Sequence, residues 1–114
     1  MTAAEIASVL SRNRLAHADE DEMQRAIAEV LAGAGIPFER EARLGRDRID
    51  FLAGAVGIEC KIKGSRAAVA RQLYGYARFP QVGALVLATT RAQHRSLAGV
   101  ILEKPVRVVY LGAP

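Results

Sequence analysis

Hydrophobic residues recur at helical spacing in the first third of the chain. Over residues 19–34, a period of 3.6 residues places five apolar side chains on one helix face: Met23, Ile27, Val30, Leu31 and Ala34. Acidic residues occupy the first turn, where they complement the helix dipole, and Gly33, Gly35 and Pro37 end the helix. A shorter leading helix is predicted over residues 3–15.

The pattern then changes to alternating apolar and polar residues, which is typical of strands. Three strands are predicted over residues 37–44, 48–53 and 56–63, with turns at Gly45 and Gly54. Glycine suits such turns because it adopts a positive φ at no steric cost.

The second half of the chain predicts a helix between further strands. Ser65 is a suitable N-cap for a helix over 66–78, which Pro80 and Gly83 end. The continuous apolar run 83–89 is typical of a strand covered on both faces. A helical turn and loop (90–103) and a last strand (106–111) complete an α/β fold, a single mixed β-sheet flanked by helices with an α-βββ-α-β core over about 19–89.

Composition indicates one globular domain over residues 1–114. The chain is 51% hydrophobic and 25% charged, which argues against a disordered protein. The single Cys60 excludes an internal disulfide, and no apolar run approaches the roughly 20 residues that span a bilayer. No signal peptide is visible, so the expected compartment is the cytoplasm and no membrane partner is expected.

Charge is distributed unevenly within the net of +4. Residues 1–39 contain three basic and seven acidic residues, a net charge of −4. Residues 40–78 contain nine basic and four acidic residues, a net charge of +5. Residues 79–114 contain four basic residues and one acidic residue, a net charge of +3. A basic middle favours a polyanionic partner such as nucleic acid, the alternative being a solvated basic surface. With 5% aromatic residues, a base-stacking platform is not expected as the main mode of binding.

Two carboxylates and a lysine interrupt the apolar strands of the predicted hairpin. Alternation points Glu59 and Lys61 to one side and Cys60 to the other. If 48–53 and 56–63 pair, Asp50 and Glu59 lie beside each other and repel unless a cation such as Mg²⁺ lies between them. The alternative is a surface Glu–Lys pair on an edge strand, with Asp50 in a turn.

These segments match the motifs of a known family. Arg48-Ile49-Asp50-Phe51 followed by Ile58-Glu59-Cys60-Lys61 resembles the PD-(D/E)XK nuclease superfamily, whose core is helix, three strands, helix, strand (the restriction-endonuclease-like core). Gln72 and Tyr76 are similar to the Gln-x-x-x-Tyr motif of its RecB-type and Cas4-type branch. The resemblance covers about residues 19–89, and the proline that names the motif is replaced by Ile49.

The resemblance implies a role for each matching residue. Asp50 and Glu59 would bind Mg²⁺, with Mn²⁺ able to substitute, joined by the backbone carbonyl of Cys60, while Lys61 acts on the attacking water. A further acid often comes from the first core helix. Taking 100° per residue, Glu20 lies about 35° from the centre of the apolar face and Asp19 about 65°, so Glu20 is the expected ligand. The alternative is that the acids at positions 19–22 only complement the helix dipole.

Other residues have weaker signals. Gln72 and Tyr76 are four residues apart, so they lie on one stripe beside the apolar face of the predicted helix. From there their side chains are expected to reach the metal site or a phosphate. The alternative is a surface glutamine and a half-buried tyrosine. Candidates for backbone phosphate contacts are Arg48, Lys63, Arg66 and Arg71. His17 and His94 lack partners at zinc-ligand spacing, and Cys60 is expected to be a buried structural thiol.

The resemblance therefore implies a Mg²⁺-dependent nuclease, an endonuclease rather than an exonuclease, acting on DNA. A small domain offers little surface for long sequence readout, so structure selectivity on branched or flapped DNA is expected, as in repair and recombination. A small stand-alone enzyme and a dimeric relative resembling Holliday-junction resolvases both fit. The alternatives are a non-catalytic nucleic-acid-binding or assembly module on the same scaffold, and a toxin or restriction-like component that needs a partner chain.

Overall fold

The computed structural model describes residues 1–112. The helices are α1 (Ala3–Ser11), α2 (Glu20–Gly33) and α3 (Arg66–Ala77), with a short 3-10 helix at Ala92–Leu97. The strands are β1 (Glu39–Leu44), β2 (Asp47–Ala53), β3 (Val56–Lys61), β4 (Ala84–Thr89), β5 (Gly99–Ile101) and β6 (Lys104–Tyr110). Within residues 1–112, no helix combines the length and the apolar character needed to cross a bilayer.

All six strands belong to one sheet in the order β1-β2-β3-β4-β6-β5. The first three pair antiparallel, β3 and β6 each run parallel to β4, and β5 pairs antiparallel with β6. The predicted fold class, a single mixed sheet flanked by helices, is confirmed. The predicted order of helix, three strands, helix and strand is confirmed as well, in α2, β1 to β3, α3 and β4.

Each face of the sheet has its own hydrophobic core. On one face, Ile6 of α1 and Ile27 of α2 pack in a cluster with Phe51 and Ile58. On the other face, Leu73 of α3 belongs to a cluster that includes strand residues of β1, β2, β4 and β6. The two central strands β3 and β4 are consequently covered on both sides, as their nearly continuous burial requires.

Two sequence predictions of local structure are only partly right, although the leading helix and the helical turn at Ala92–Leu97 are both present. The leading helix ends at Ser11 rather than at residue 15, and the Asn13 side chain donates to the Val9 carbonyl at 2.8 Å, satisfying a free carbonyl of the last turn. The segment 90–103, predicted as helical turn and loop, includes strand β5, which forms a hairpin with β6. In the turn between β5 and β6, Leu102 and Glu103 have positive φ, a conformation that neither residue type predicts.

β2 changes face at Asp50. Ile49 packs in the cluster that contains α3, whereas Phe51, two residues later, packs in the cluster that contains α1 and α2. In a regular strand these two side chains would share one face. Asp50 therefore sits at an irregularity of the strand, between two oppositely directed apolar anchors.

The same change occurs in the neighbouring strand β1. Ala42 packs on the α3 side, whereas the Arg40 guanidinium lies over the Phe51 ring at 5.9 Å on the α2 side. Glu41, between them, has a φ of 54°, in the left-handed region. β1 and β2 thus reverse together, which explains how both remain paired on either side of Asp50.

The entry into α3 is fixed by a buried histidine. The Ser65 hydroxyl caps the helix by accepting the Ala68 N–H at 3.1 Å. Just before it, the carbonyl of Gly64 accepts from His94 Nε2 at 2.8 Å, while His94 Nδ1 lies 2.6 Å from the Thr89 hydroxyl. Because a carbonyl only accepts, His94 Nε2 carries the hydrogen that it donates to Gly64. These hydrogen bonds connect the start of α3 to the end of β4.

Candidate functional site

Asp50 and Glu59 are neighbours on the β2–β3 hairpin, which confirms the predicted pairing. Backbone pairing reaches Phe51 and Ile58, and the next opposed residues are Asp50 and Glu59. There side chains replace the regular ladder, because the Asp50 N–H donates to Glu59 Oε1 at 3.2 Å and the Cys60 N–H donates to Asp50 Oδ2 at 2.8 Å. Each carboxylate is therefore held by the backbone of the opposite strand.

Glu59 is the more deeply placed of the two, with 3% of its surface exposed. β3 is an interior strand, so the alternative of a surface ion pair on an edge strand is wrong. Lys61 Nζ lies 3.7 Å from Glu59 Oε2, and the lysine side chain is 20% exposed. The two residues share a face, as alternation predicts, with Lys61 between the buried carboxylate and solvent.

Tyr76 connects α3 directly to this pair. Its hydroxyl lies 3.1 Å from Glu59 Oε2 and 3.2 Å from the carbonyl oxygen of Arg48, and Gln72 Nε2 donates to it at 2.8 Å. Tyr76 is buried, so the alternative of a half-buried tyrosine is wrong. The Gln-x-x-x-Tyr spacing brings its two members into contact with each other and one of them into contact with Glu59.

The single hydroxyl proton of Tyr76 has two acceptors, and the protonation of Glu59 decides between them. When Glu59 is ionised, Tyr76 donates to its carboxylate. When Glu59 is protonated, its own O–H can donate to the Tyr76 oxygen, and Tyr76 then donates to the Arg48 carbonyl. Burial and the Glu59 charge raise the pKa of Tyr76, so the phenol stays a donor at neutral pH.

Both carboxylates are harder to ionise than ordinary side chains. Burial, followed by the charge of Asp50, raises the pKa of Glu59 to about 8. Burial also raises the pKa of Asp50, with further contributions from the charges of Glu20 and Glu41, opposed by the Cys60 hydrogen bond. At neutral pH the pair therefore lacks its full negative charge unless a cation is bound.

Cys60 has the structural character expected of it. Its side chain is fully buried in the cluster beneath α1 and α2, and burial raises the pKa of its thiol. A thiol in this state is a weak nucleophile. Its contribution to the site is the backbone N–H that holds Asp50, while the proposed use of its carbonyl as a metal ligand remains a prediction.

The acids at the start of α2 have separate roles. Asp19 caps the helix by accepting the Glu22 N–H at 2.7 Å, which is the dipole-complementing role. Asp21 pairs with Arg25 at 3.2 Å, and Glu22 accepts the Ala18 N–H at 3.0 Å. Of the four, only the Glu20 side chain forms no hydrogen bond or ion pair within residues 1–112, and its charge raises the pKa of Asp50.

A metal ligand set of three side chains is not assembled. Among the residues that the structure describes, no group of three or more His, Cys, Asp or Glu side chains is placed to bind one ion. The pair Asp50 and Glu59 nevertheless suits a hard cation. Oxygen is the donor that Mg²⁺ prefers, and Asp50 Oδ1 accepts no hydrogen bond from the described part of the chain. Glu20 as a third ligand stays a prediction.

The predicted phosphate-binding residues differ in their surroundings. Arg48 and Arg71 are exposed and line a cavity of about 520 Å³ together with Gln72 and Tyr76. Lys63 is exposed just beyond β3. The Arg66 side chain is partly engaged, since Nε donates to the Ser96 hydroxyl at 2.7 Å.

Sequence reasoning missed Arg46, which lines the same cavity from the β1–β2 turn. Its position beside Gly45 predicts only a turn, and a turn arginine gives no indication of what it faces. The opposite wall is formed by α3, 25 or more residues later in the chain, so only the fold brings the two together.

Comparisons of this chain with models of protein families, with curated proteins and with solved structures find no significant match.

Proposed function

We propose that this chain is a metal-dependent nuclease that hydrolyses phosphodiester bonds of DNA. The observation that carries the proposal is the interlocked pair Asp50 and Glu59, each held by the backbone of the opposite strand, with Lys61 Nζ 3.7 Å from Glu59. Burying two acids together raises the pKa of both, which costs stability. A bound dication would stabilise both carboxylates in their ionised form and so offset this loss of stability.

Asp50 and Glu59 are the residues that would hold Mg²⁺ or Mn²⁺, with the carbonyl of Cys60 beside them. When bound, such an ion acts as a Lewis acid and stabilises negative charge on phosphate oxygens. The protein's contribution is to fix both carboxylates before the ion arrives. Four hydrogen-bond donors do so, namely two strand N–H groups, Tyr76 and, through Tyr76, Gln72.

Lys61 supplies a positive charge at the open side of the centre. Its ammonium group can orient the attacking water and stabilise the charge that develops on a phosphate oxygen. Tyr76 is a positioning residue, since it contacts Glu59 rather than the reacting atoms. Loss of its hydroxyl would release the Glu59 carboxylate from α3.

The surroundings of the centre favour a phosphodiester substrate. Arg46, Arg48 and Arg71 line the cavity that adjoins Tyr76, and arginine binds phosphate oxygens in a bidentate manner. Backbone contacts of this kind orient a nucleic acid without reading its sequence. Selectivity for DNA structure is therefore proposed over selectivity for sequence.

Cleavage of a panel of DNA substrates tests the proposal. Single-stranded, duplex, flapped and four-way-junction DNA would be incubated with the protein and Mg²⁺, Mn²⁺ or EDTA. We expect metal-dependent cleavage that Lys61→Ala reduces about a hundredfold, because one charge-stabilising group is lost from the transition state. Lys61→Arg should recover part of the rate, since it keeps the charge.

Arg14→Ala is the matched control, because it removes one exposed positive charge from the segment between α1 and α2. Its cleavage rate should equal that of the unmodified protein. Salt-sensitive binding without cleavage of any substrate would contradict the nuclease and favour the non-catalytic module. Equal rates for Lys61→Ala and Arg14→Ala would remove Lys61 from the mechanism.

A further inference from the structure

Two neighbouring cavities lie along α3, one lined by Tyr76 and the other at the outer surface of the helix. The inner cavity, of about 520 Å³, is lined by Arg46, Asp47, Arg48, Arg71, Gln72, Gly75 and Tyr76. The outer cavity, of about 500 Å³, is lined by Ala70, Arg71, Tyr74, Gly75 and Arg78. Because Arg71 and Gly75 line both, the two cavities lie next to each other on α3, and together we call them the α3 groove.

The α3 groove is strongly basic. Arg46, Arg48, Arg71 and Arg78 line it, against one carboxylate, that of Asp47. Within residues 1–112, none of these four guanidinium groups forms an ion pair or donates a hydrogen bond to another side chain or to the backbone. Their charges are therefore available to an external anion.

Tyr74 is the aromatic residue of the groove that faces outward, with 49% of its surface exposed. It stands three residues after Arg71 and four before Arg78, so the three side chains follow one another along the outer ridge of the helix. A flat aromatic surface between two guanidinium groups suits a nucleobase with a phosphate on either side.

Gly75 forms the floor where the two cavities join. It lies inside α3, where glycine is less favourable than alanine, and a Cβ there would meet no atom within 4 Å. Neither packing nor a positive φ requires glycine at this position. Without a side chain at Gly75, nothing projects from the helix between the Tyr76 end and the Tyr74 end of the groove at this position.

We propose that the α3 groove binds a single-stranded segment of the DNA substrate, with phosphates on the arginines and one unpaired base stacked on Tyr74. This inference rests on the proposed function for the identity of the ligand. An unpaired base is required because the faces of bases within a duplex are already stacked on their neighbours. One stacked base is a local contact, in agreement with the low aromatic content of the chain.

Fluorescence anisotropy of a labelled single-stranded oligothymidine, in EDTA so that no cleavage occurs, tests the inference. Tyr74→Ala should weaken binding about five- to 150-fold, the range for loss of one base–aromatic stack, and Tyr74→Phe should bind as the unmodified protein. A duplex of equal length should bind Tyr74→Ala and the unmodified protein equally. Arg78→Ala should reduce the slope of log K against log salt for the single strand by about 0.7.

Gly75→Gln fills the floor of the groove and is the second variant. Glutamine is a better helix former than glycine, so the melting temperature should stay the same or rise. Binding of the single strand should nevertheless fall severalfold. Unchanged single-strand affinity in both Tyr74→Ala and Gly75→Gln would overturn the inference, as would an equal loss on single-stranded and duplex DNA.

The same variants separate this inference from the nuclease proposal. Tyr74-dependent binding of the single strand, without metal-dependent cleavage of any substrate, would uphold the groove and overturn the nuclease. Metal-dependent cleavage that requires Asp50, together with unchanged binding and cleavage in Tyr74→Ala and Gly75→Gln, would uphold the nuclease and overturn the groove.

Discussion

Asp50→Asn should reduce metal-dependent DNA cleavage by about a thousandfold or more, which corresponds to a loss of roughly 4 kcal/mol of transition-state stabilisation. The substitution removes one of two charges that would hold the cation. It keeps the shape of the side chain, and the amide oxygen can still accept the Cys60 N–H that Asp50 Oδ2 accepts at 2.8 Å. Initial rates on the best DNA substrate, measured across a Mg²⁺ titration, check this result.

Glu29→Gln is the matched control for that measurement. Glu29 is exposed on α2 and makes no ion pair or side-chain hydrogen bond within residues 1–112, so its loss changes the net charge by the same amount without touching the site. The control should cleave at the unmodified rate. Cleavage by Asp50→Asn at a rate within tenfold of the control, with both proteins equally folded, would contradict the assignment of Asp50.

In the absence of divalent metal, the free energy of unfolding should fall as pH rises from about 4.5 to about 8, by an amount on the order of a few kcal/mol. Between these values Glu59 keeps its proton in the folded protein and loses it in the unfolded chain. The folded state then binds more protons than the unfolded chain. The free energy of unfolding is therefore greatest below pH 4.5 and falls as the pH rises to about 8. The raised pKa of Asp50 acts with the same sign.

Glu59→Gln isolates this effect because its side chain cannot ionise. The amide can donate to the Tyr76 oxygen, as a protonated Glu59 would, while Tyr76 donates to the Arg48 carbonyl. Urea denaturation in EDTA at several pH values should show a steeper pH dependence for the unmodified protein than for Glu59→Gln. At pH 8.5 we expect the variant to be the more stable of the two.

Glu103→Gln, which neutralises an exposed acid, should retain the pH dependence of the unmodified protein. Addition of Mg²⁺ should raise the melting temperature of the unmodified protein more at pH 8 than at pH 6, because the cation binds the ionised carboxylates. If the free energy of unfolding depends on pH in the same way for the unmodified protein and for Glu59→Gln, burial does not raise the pKa of Glu59.

The order of elements and the hairpin were predictable because local signals determine them. Gly54 provides the positive φ of the β2–β3 turn, and the two flanking apolar runs fix which strands pair. Once those strands pair, Asp50 and Glu59 become neighbours without any contribution from distant parts of the chain. The Ser65 cap is likewise a local feature that the structure confirms.

The rest depends on contacts that no local pattern encodes. The reversal of face at Asp50 occurs beside Glu41 at positive φ in the neighbouring strand, and a glutamate carries no signal for that conformation. The hydrogen bond from Tyr76 to Glu59 joins residues 17 apart through the packing of α3 on the sheet. Periodicity could place Tyr76 beside the apolar stripe of α3, but not at a particular oxygen atom.

The location of a bound paramagnetic ion tests the central claim most directly, namely that Asp50 and Glu59 together bind a divalent cation. Substoichiometric Mn²⁺ added to ¹⁵N-labelled protein should broaden the amide signals of Asp50, Glu59, Cys60 and Lys61 first. This broadening should disappear in both Asp50→Asn and Glu59→Gln. Broadening centred on the exposed acids of α2, and unchanged in those two variants, would contradict the claim.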